Sequence, residues 1–258
     1  MRTLSDEPIG TTGLSASRLW AAVIGLPAEK HGPLPPLLLL LTVVTGLVDA
    51  FSYLVLGHVF VANMTGNVVF LAFAIAGAKG FSIPASILAL AAFGCGAVIG
   101  GRMIGRLAGH RGHLLTSAAV VQSGLVAAAV VVSLVAGNAG TGAIRYVLIA
   151  LLALAMGLQN ATSRRLAVPD LTTTVLTLTI TGIAADSRIG FGTGSKIGRR
   201  GLSIACMFAG ALAGALFVLH GNRSIALVLA LVSLATVAVV VAVRSREMPA
   251  PPWTAPVS

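Results

Sequence analysis

The chain has 258 residues, 57% of them apolar and only 9% charged, with a formal net charge of +10 and a mean hydropathy of +0.98. A soluble domain carries about 25% charged residues, so there is too little polar material here to cover a globule, and an integral membrane protein is expected. The positive charge would suit a nucleic-acid binder. Most Arg and Lys, however, stand at the ends of apolar runs, with no basic face of interleaved aromatics. The expected partner is therefore the lipid bilayer and not nucleic acid.

Residues 1–34 are mixed, with prolines and glycines at 8, 10, 13, 27, 32 and 33. The order of a signal peptide is missing, so a flexible cytoplasmic lead is expected. Eight apolar stretches follow, at roughly 36–57, 59–78, 83–105, 114–136, 144–163, 170–186, 201–220 and 224–243. They have the length of helices and lack the period-two alternation of a β-barrel. The proline-rich residues 244–258 read as a disordered tail. The transmembrane domain is thus expected over 35–243.

Charge argues against eight spans. Cytoplasmic loops collect Lys and Arg, and the rich loops are Arg102/Arg106/Arg111, Arg164/Arg165, Arg188/Lys196/Arg199/Arg200 and Arg244/Arg246. The second and third are separated by the single stretch 170–186. If it crossed, one rich loop would lie on the wrong side. That stretch is also polar, with Thr172, Thr173, Thr174, Thr177, Thr179 and Thr181 behind Pro169 and Asp170. A broken or re-entrant segment fits, since irregular backbone is tolerated at membrane depth where protein buries it. Stretch 59–78 is its counterpart, opening with Asn63, Thr65, Gly66 and Asn67, residues of turns and caps. The expected architecture is an all-α polytopic bundle of about six full spans plus two short re-entrant segments. Its N-terminus is cytoplasmic, and Lys79, Arg145 and Arg223 lie outside.

The halves, about 36–136 and 144–243, resemble each other. Gly46-Leu-Val-Asp49-Ala50 matches Gly157-Leu-Gln-Asn160-Ala161 at an offset of 111, Cys95 matches Cys206, and Gly96 and Gly100 match Gly210 and Gly214 with a slight shift. Three full spans per half make the repeat inverted. Inverted repeats with a broken segment in each half point to a transporter-type site near the midplane.

Asp49 is the candidate centre of such a site. It lies within the apolar run 36–57, where a carboxylate costs several kcal/mol unless it faces protein or water. Thr42, Thr45, Gly46, Asp49, Ser52 and Tyr53 form one polar, small-residue stripe on the first span, matched by Ala153, Met156, Gly157, Asn160 and Ser163. Two readings stay open for Asp49: a proton or cation site beside a bound substrate, or a packing residue hydrogen-bonded to a neighbouring helix. The Asn63–Asn67 run is either a ligand-facing broken helix end or a capped turn. The threonines either line a path or bond back to their own carbonyls. The candidate substrate- or ion-binding residues are Asp49, Asn63, Thr65, Asn67, Gln159, Asn160, Thr173 and Thr177.

The remaining signals are structural. Cys95 and Cys206 lie in apolar segments without CxxC spacing and read as small hydrophobes. The histidines at 31, 58, 110, 113 and 220 show no metal spacing. No nucleophile elbow, phosphate loop or carboxylate pair occurs, so no enzyme, cofactor or metal is expected. The glycine pairs 96/100, 101/105 and 210/214 allow close helix approach, and a homodimer on the Gly-rich faces is an expectation.

The runs Gly46–Ala50, Asn63–Asn67, Gly157–Ala161 with Arg164/Arg165, and Leu171–Thr177 together resemble the YoaK-like family of bacterial membrane proteins, a domain of unknown function. The resemblance covers roughly residues 36 to 243, and the lead before it is longer than expected. It implies a multi-pass protein of a bacterial inner membrane and carries over no substrate or site residue. The expected function is a small secondary transporter or exporter of a small molecule or ion, the alternative a non-transporting scaffold or assembly protein.

Overall fold

The computed structural model describes residues 31–107, 109–136, 140–169, 171, 176–185, 197–247 and 252–255. Nearly all of the N-terminal lead (residues 1–30) and Thr172, Thr173 and Thr174 lie outside the described residues. The helices are α1 (Leu34–Val55), α2 (Met64–Ile75), α3 (Ile83–Leu107), α4 (Arg111–Val135), α5 (Gly142–Leu166), α6 (Leu176–Ala185), α7 (Ile197–Leu219) and α8 (Arg223–Arg244). No strand occurs among the described residues. All but α2 and α6 are long and apolar enough to cross a membrane.

Helix directions follow from the seams. A Cβ on Gly210 would meet Val43 O, and one on Gly214 would meet Leu47 and Ala50, so α1 and α7 run parallel. Gly96 lies against Leu154, and Gly100 against Leu158 and Ala161, so α3 and α5 run parallel too. By contrast α4 and α8 are antiparallel: Gly112 sits beside Ser245, and Ser133 Oγ shares a 3.0 Å hydrogen bond with Ser224 Oγ. Arg145 Nη2 donates to Gly57 O, setting the start of α5 beside the end of α1. Arg111 Nη2 donates to Leu166 O at 2.5 Å, setting the start of α4 beside the end of α5.

These links leave one arrangement. The chain exits α1 and enters α3 at the same end, and exits α5 and enters α7 at the other. Segment 56–82 therefore turns back, and the chain leaves α5 and enters α7 at one end, giving six full spans. One end carries Arg102, Arg106, Arg111, Arg164, Arg165, Arg199, Arg200, Arg244 and Arg246. The other carries Lys79, Arg145 and Arg223, the distribution the loop charges predict.

The repeat is present as packing. Each half's first span docks on the other half's second span, through mirrored contacts: Gly46 meets Met207 O and Gly157 meets Phe93 O, while Gly210 meets Val43 O and Gly96 meets Leu154 O. First spans correspond at an offset of 111 (Gly46, Gly157), second spans at 114 (Gly96, Gly210), and third spans at 108. The last is seen in the buried positions 118, 119, 122, 126, 129, 130 and 133 of α4 and 226, 227, 230, 234, 237, 238 and 241 of α8. Because α4 is antiparallel to its own mate, the pseudo-twofold axis lies across the helices and the repeat is inverted.

Three expectations change. The 114 register pairs Cys95 with Ala209, not Cys206, because the second half inserts three more residues before its middle span. Gly96, Gly100, Gly210 and Gly214 are consumed by seams inside the chain, so they offer no face to a second copy; Gly101 and Gly105 have open space. The tail is not structureless throughout. Pro252–Thr254 form a 3-10 turn, and Trp253, 5% exposed, packs its indole on Gly32. A large apolar ring gives the tail enough buried area to order its tip.

Candidate functional site

The site is built where α1 hands over to α2. Gly57 and His58, with φ of +81° and +55°, end α1 and turn the chain back toward the bundle. Gly reaches this region without a Cβ penalty. At His58 the ring Nδ1 donates to Gly80 O at 3.0 Å, a contact that offsets the strain. That bond ties the start of the descent to the end of the return, so 56–82 is a closed hairpin entering from one end. Its walls are aromatic: Tyr53 stacks on Phe60 at 5.0 Å, Phe60 on Phe70 at 5.6 Å and Phe70 on Phe81 at 5.1 Å.

Asp49 holds the tip. Its Oδ1 accepts from Val61 N at 3.1 Å and Ala62 N at 2.9 Å, and its Oδ2 accepts from the Asn63 side-chain amide. The side chain is 2% exposed. Successive backbone N–H groups form a concavity that suits an anion, so the carboxylate is satisfied by the hairpin it anchors. Asn67, fully buried, clamps the descending strand at one residue: Oδ1 accepts from Phe60 N at 2.9 Å and Nδ2 donates to Phe60 O at 2.6 Å. Asn63 and Asn67 thus shape the hairpin. Thr65 is exposed, and none of the hydrogen bonds to Asp49 comes from it.

A second polar cluster crosses the core one turn away. Gln159 Nε2 on α5 donates to Thr45 Oγ1 at 2.9 Å and Leu41 O at 3.3 Å on α1, and Gln122 Nε2 on α4 donates to Gln159 Oε1 at 2.5 Å. Gln122 went unremarked in the sequence, although a lone amide within an apolar run is itself a signal of bundle-facing position. Asp49 lies four residues beyond Thr45, and Asn160 one residue beyond Gln159 in the opposite direction. At ~1.5 Å rise per residue the two mates are roughly 7 Å apart along the bundle and straddle its middle.

The mates are chemically unequal. Asn160 is half-buried and donates to Met156 O in its own helix at 2.9 Å. Thr162 Oγ1 and Ser163 Oγ next to it are buried without a partner. Of the threonine-rich stretch, Thr177 is exposed and Thr179 buried, while Thr173 lies outside the described residues. The α1 hydroxyls bond back to their own helix, Thr42 to Leu38 O and Thr45 to Leu41 O. The polar stripe expected on α1 is not a distinct face, because Leu41, Val44, Leu47, Val48 and Phe51 are buried as well. A span buried over most of its surface has little lipid face to contrast with.

The fold and site define a class: a polytopic helical membrane protein of two inverted three-span repeats, one re-entrant hairpin pinned by an intramembrane carboxylate. The chain belongs to the family described as "Protein of unknown function (DUF1275)", which matches residues 37–240. It is similar to the "UPF0700 transmembrane protein YoaK" of Bacillus subtilis (strain 168), at 35% identity over 150 residues. The match covers 58% of this chain and 65% of that protein, so less than two thirds of the relative's length is spanned. No solved structure matches.

Proposed function

We propose that the protein is a small secondary transporter or exporter of a small molecule or ion, not an enzyme, with Asp49 as its coupling residue. The observation that carries this reading is the inverted repeat in which each half's first and second spans are joined at one end, in the first half by a hairpin that ends on an acid near mid-depth. That combination supports alternating access, in which one half rocks against the other around a central site. Asn63 at the carboxylate, and Gln159 and Gln122 in the polar cluster one turn away, are polar groups that a substrate could engage. The arginine-rich end faces the cytoplasm of a bacterial inner membrane under the positive-inside rule, which sets the N-terminus inside.

A second reading, a scaffold, is favoured by one observation: every hydrogen bond to the Asp49 carboxylate comes from its own hairpin. A thermal-shift screen of small metabolites and ions on purified protein separates the two. A carrier shows a ligand-induced rise in Tm that Asp49→Asn abolishes while the variant still folds. A scaffold shows no ligand response, and Asp49→Asn lowers Tm outright. A wild-type protein that no small solute stabilises, and that moves none in proteoliposomes, would refute the transporter reading.

A further inference from the structure

We propose that Asp49 is a proton site, not a metal-cation site, and that taking up a proton unlatches the re-entrant hairpin 56–82. The use made of the latch rests on the transporter reading; its geometry does not.

The chemistry turned toward the carboxylate decides between ions. Oδ1 faces Val61 N and Ala62 N, Oδ2 faces the Asn63 side-chain amide, and the Asn63 backbone N–H also points at the group. Every one of these is a hydrogen-bond donor. A hard cation takes about six to eight oxygen ligands, and here the carboxylate's lone pairs are already covered by N–H hydrogens. A metal ion would have to displace the N–H groups of Val61 and Ala62, and turning the Asn63 amide over would offer it one further side-chain oxygen, far short of that number. A proton needs one lone pair only.

Its arrival changes the latch. When a solvent proton binds Oδ2, the neutral acid presents an O–H where an N–H now points, so the Asn63 amide must turn over or leave. The remaining bonds from Val61 and Ala62 lose their charge assistance, and charge-assisted hydrogen bonds are about twice as strong as neutral ones. Proton occupancy and the closed latch therefore oppose each other. Symmetry sharpens the point: Asn160 at the mate position does not titrate, so the switch has no counterpart at that position in the other half.

Among the described residues, the titratable groups in contact with the hairpin are Tyr53 and His58 in the aromatic wall and Arg145, which donates to Gly57 O where the hairpin begins. On α7 the level of Asp49 is that of Gly214, which lies against Leu47 and Ala50, and of the apolar residues 215–218 after it, none ionisable. His58 is the one that needs a control, because it closes the hairpin through Gly80 O.

The test is a spin-label distance measurement on the full chain in lipid nanodiscs, with Cys95 and Cys206 replaced by Ser and labels at Thr65→Cys on the hairpin and Val135→Cys at the same end of α4. Both positions are exposed. Between pH 8 and pH 5 the ratio of displaced to latched hairpin should rise by about fivefold or more, the worth of roughly one charge-assisted bond. Asp49→Asn and Asn63→Ala should each give the displaced distance at every pH, whereas His58→Gln should keep the wild-type response. Sodium or potassium added at fixed pH should change nothing. A single distance across the whole range, a pH response surviving in Asp49→Asn, or a response to sodium at constant pH would each overturn the proposal. Asn63→Ala retains the acid, so it tests the latch even if Asp49→Asn fails to fold. No substrate enters this measurement: a working latch with no solute moved would sink the transporter reading alone.

Discussion

Replacing Gly157 by Ala tests the inverted repeat at its tightest seam. A Cβ there would fall 2.0 Å from Phe93 O and 2.9 Å from Ala97 N, where ordinary contact begins at 3.4 Å. The obstructing atoms are backbone, so no side chain can swing aside, and α3 and α5 must separate by about 1.4 Å at that level. Overpacking of this kind costs about 1–3 kcal/mol, and a gap of ~1 Å forfeits up to about half of each dispersion contact along the seam. The gain in helix propensity from Gly to Ala offsets ~1 kcal/mol, leaving a net loss of about 2 kcal/mol. Gly101, on the same helix pair but with nothing within 4 Å, should gain up to ~1 kcal/mol from the same change. The mate of Gly157 is Gly46, whose Cβ would fall 2.4 Å from Met207 O, so Gly46→Ala should follow Gly157→Ala and not Gly101→Ala. Reversible unfolding in mixed micelles with increasing SDS measures all three. If Gly157→Ala and Gly46→Ala lie within about 0.5 kcal/mol of Gly101→Ala, a margin typical of neutral surface changes, then the seams are not where the structure puts them.

Gln122→Ala should destabilise by about 1–2 kcal/mol, because it strands Gln159 Oε1 in the core. The pair Gln122→Ala with Gln159→Val, which copies the mates Ala230 and Val48, should cost less than the sum of its parts, and a double-mutant cycle showing strict additivity would refute the bond. Outside the spans, burial first and the adjacent His113 second hold the His110 pKa below 6.5, while its Nδ1 accepts from His113 N at 3.1 Å and caps α4. A folded-state pKa below the unfolded value means the cap is fully present above pH 6.5 and is lost as pH falls through the folded value. Amide exchange at residues 112–114, corrected for intrinsic pH dependence, should accelerate below that point, and His110→Ala should remove the effect at a cost of ~1 kcal/mol.

Much of this fold is legible in the residues because membrane solvent leaves few options. An acid in a 22-residue apolar run and turn formers at 63–67 each violate what lipid tolerates; the first marks a span enclosed by protein and the second the place where the backbone stops crossing. The loop arginines fix which segments turn back, since a single extra crossing would move a basic loop to the wrong end. What the residues do not show is partnership. Asn67 has the same appearance as Asn63, yet one clamps Phe60 and the other meets Asp49, and only the path of the chain between them decides. Gln122 is hidden because its partner is 37 residues away on another helix. Periodicity fails for α1 because most of its surface is buried, polar and apolar residues alike, and the 114 register is obscured by residues added between the first and middle spans of the second half. Trp253 sits among prolines, where composition argues for disorder and one ring overrides it.

The differences between the halves are where function has room to reside. Packing through Gly46, Gly96, Gly157 and Gly210 is the same in both, which gives the frame two equivalent seams about which either half could move. A strictly symmetric molecule would hold both re-entrant segments equally and have no preferred direction. Three of the polar differences lie closest to the hairpin latch: Asp49 against Asn160, Gln159 against Val48 and Gln122 against Ala230. All three cluster within about two helical turns of the axis. The two glutamines bond across α4 and α5 to α1 and so hold that junction together, while the acid holds the hairpin beside it through charge. A signal that removes the charge therefore loosens the hairpin and leaves the glutamine bridge intact, so motion should begin at the end bearing Lys79, Arg145 and Arg223, with the arginine-rich end still closed.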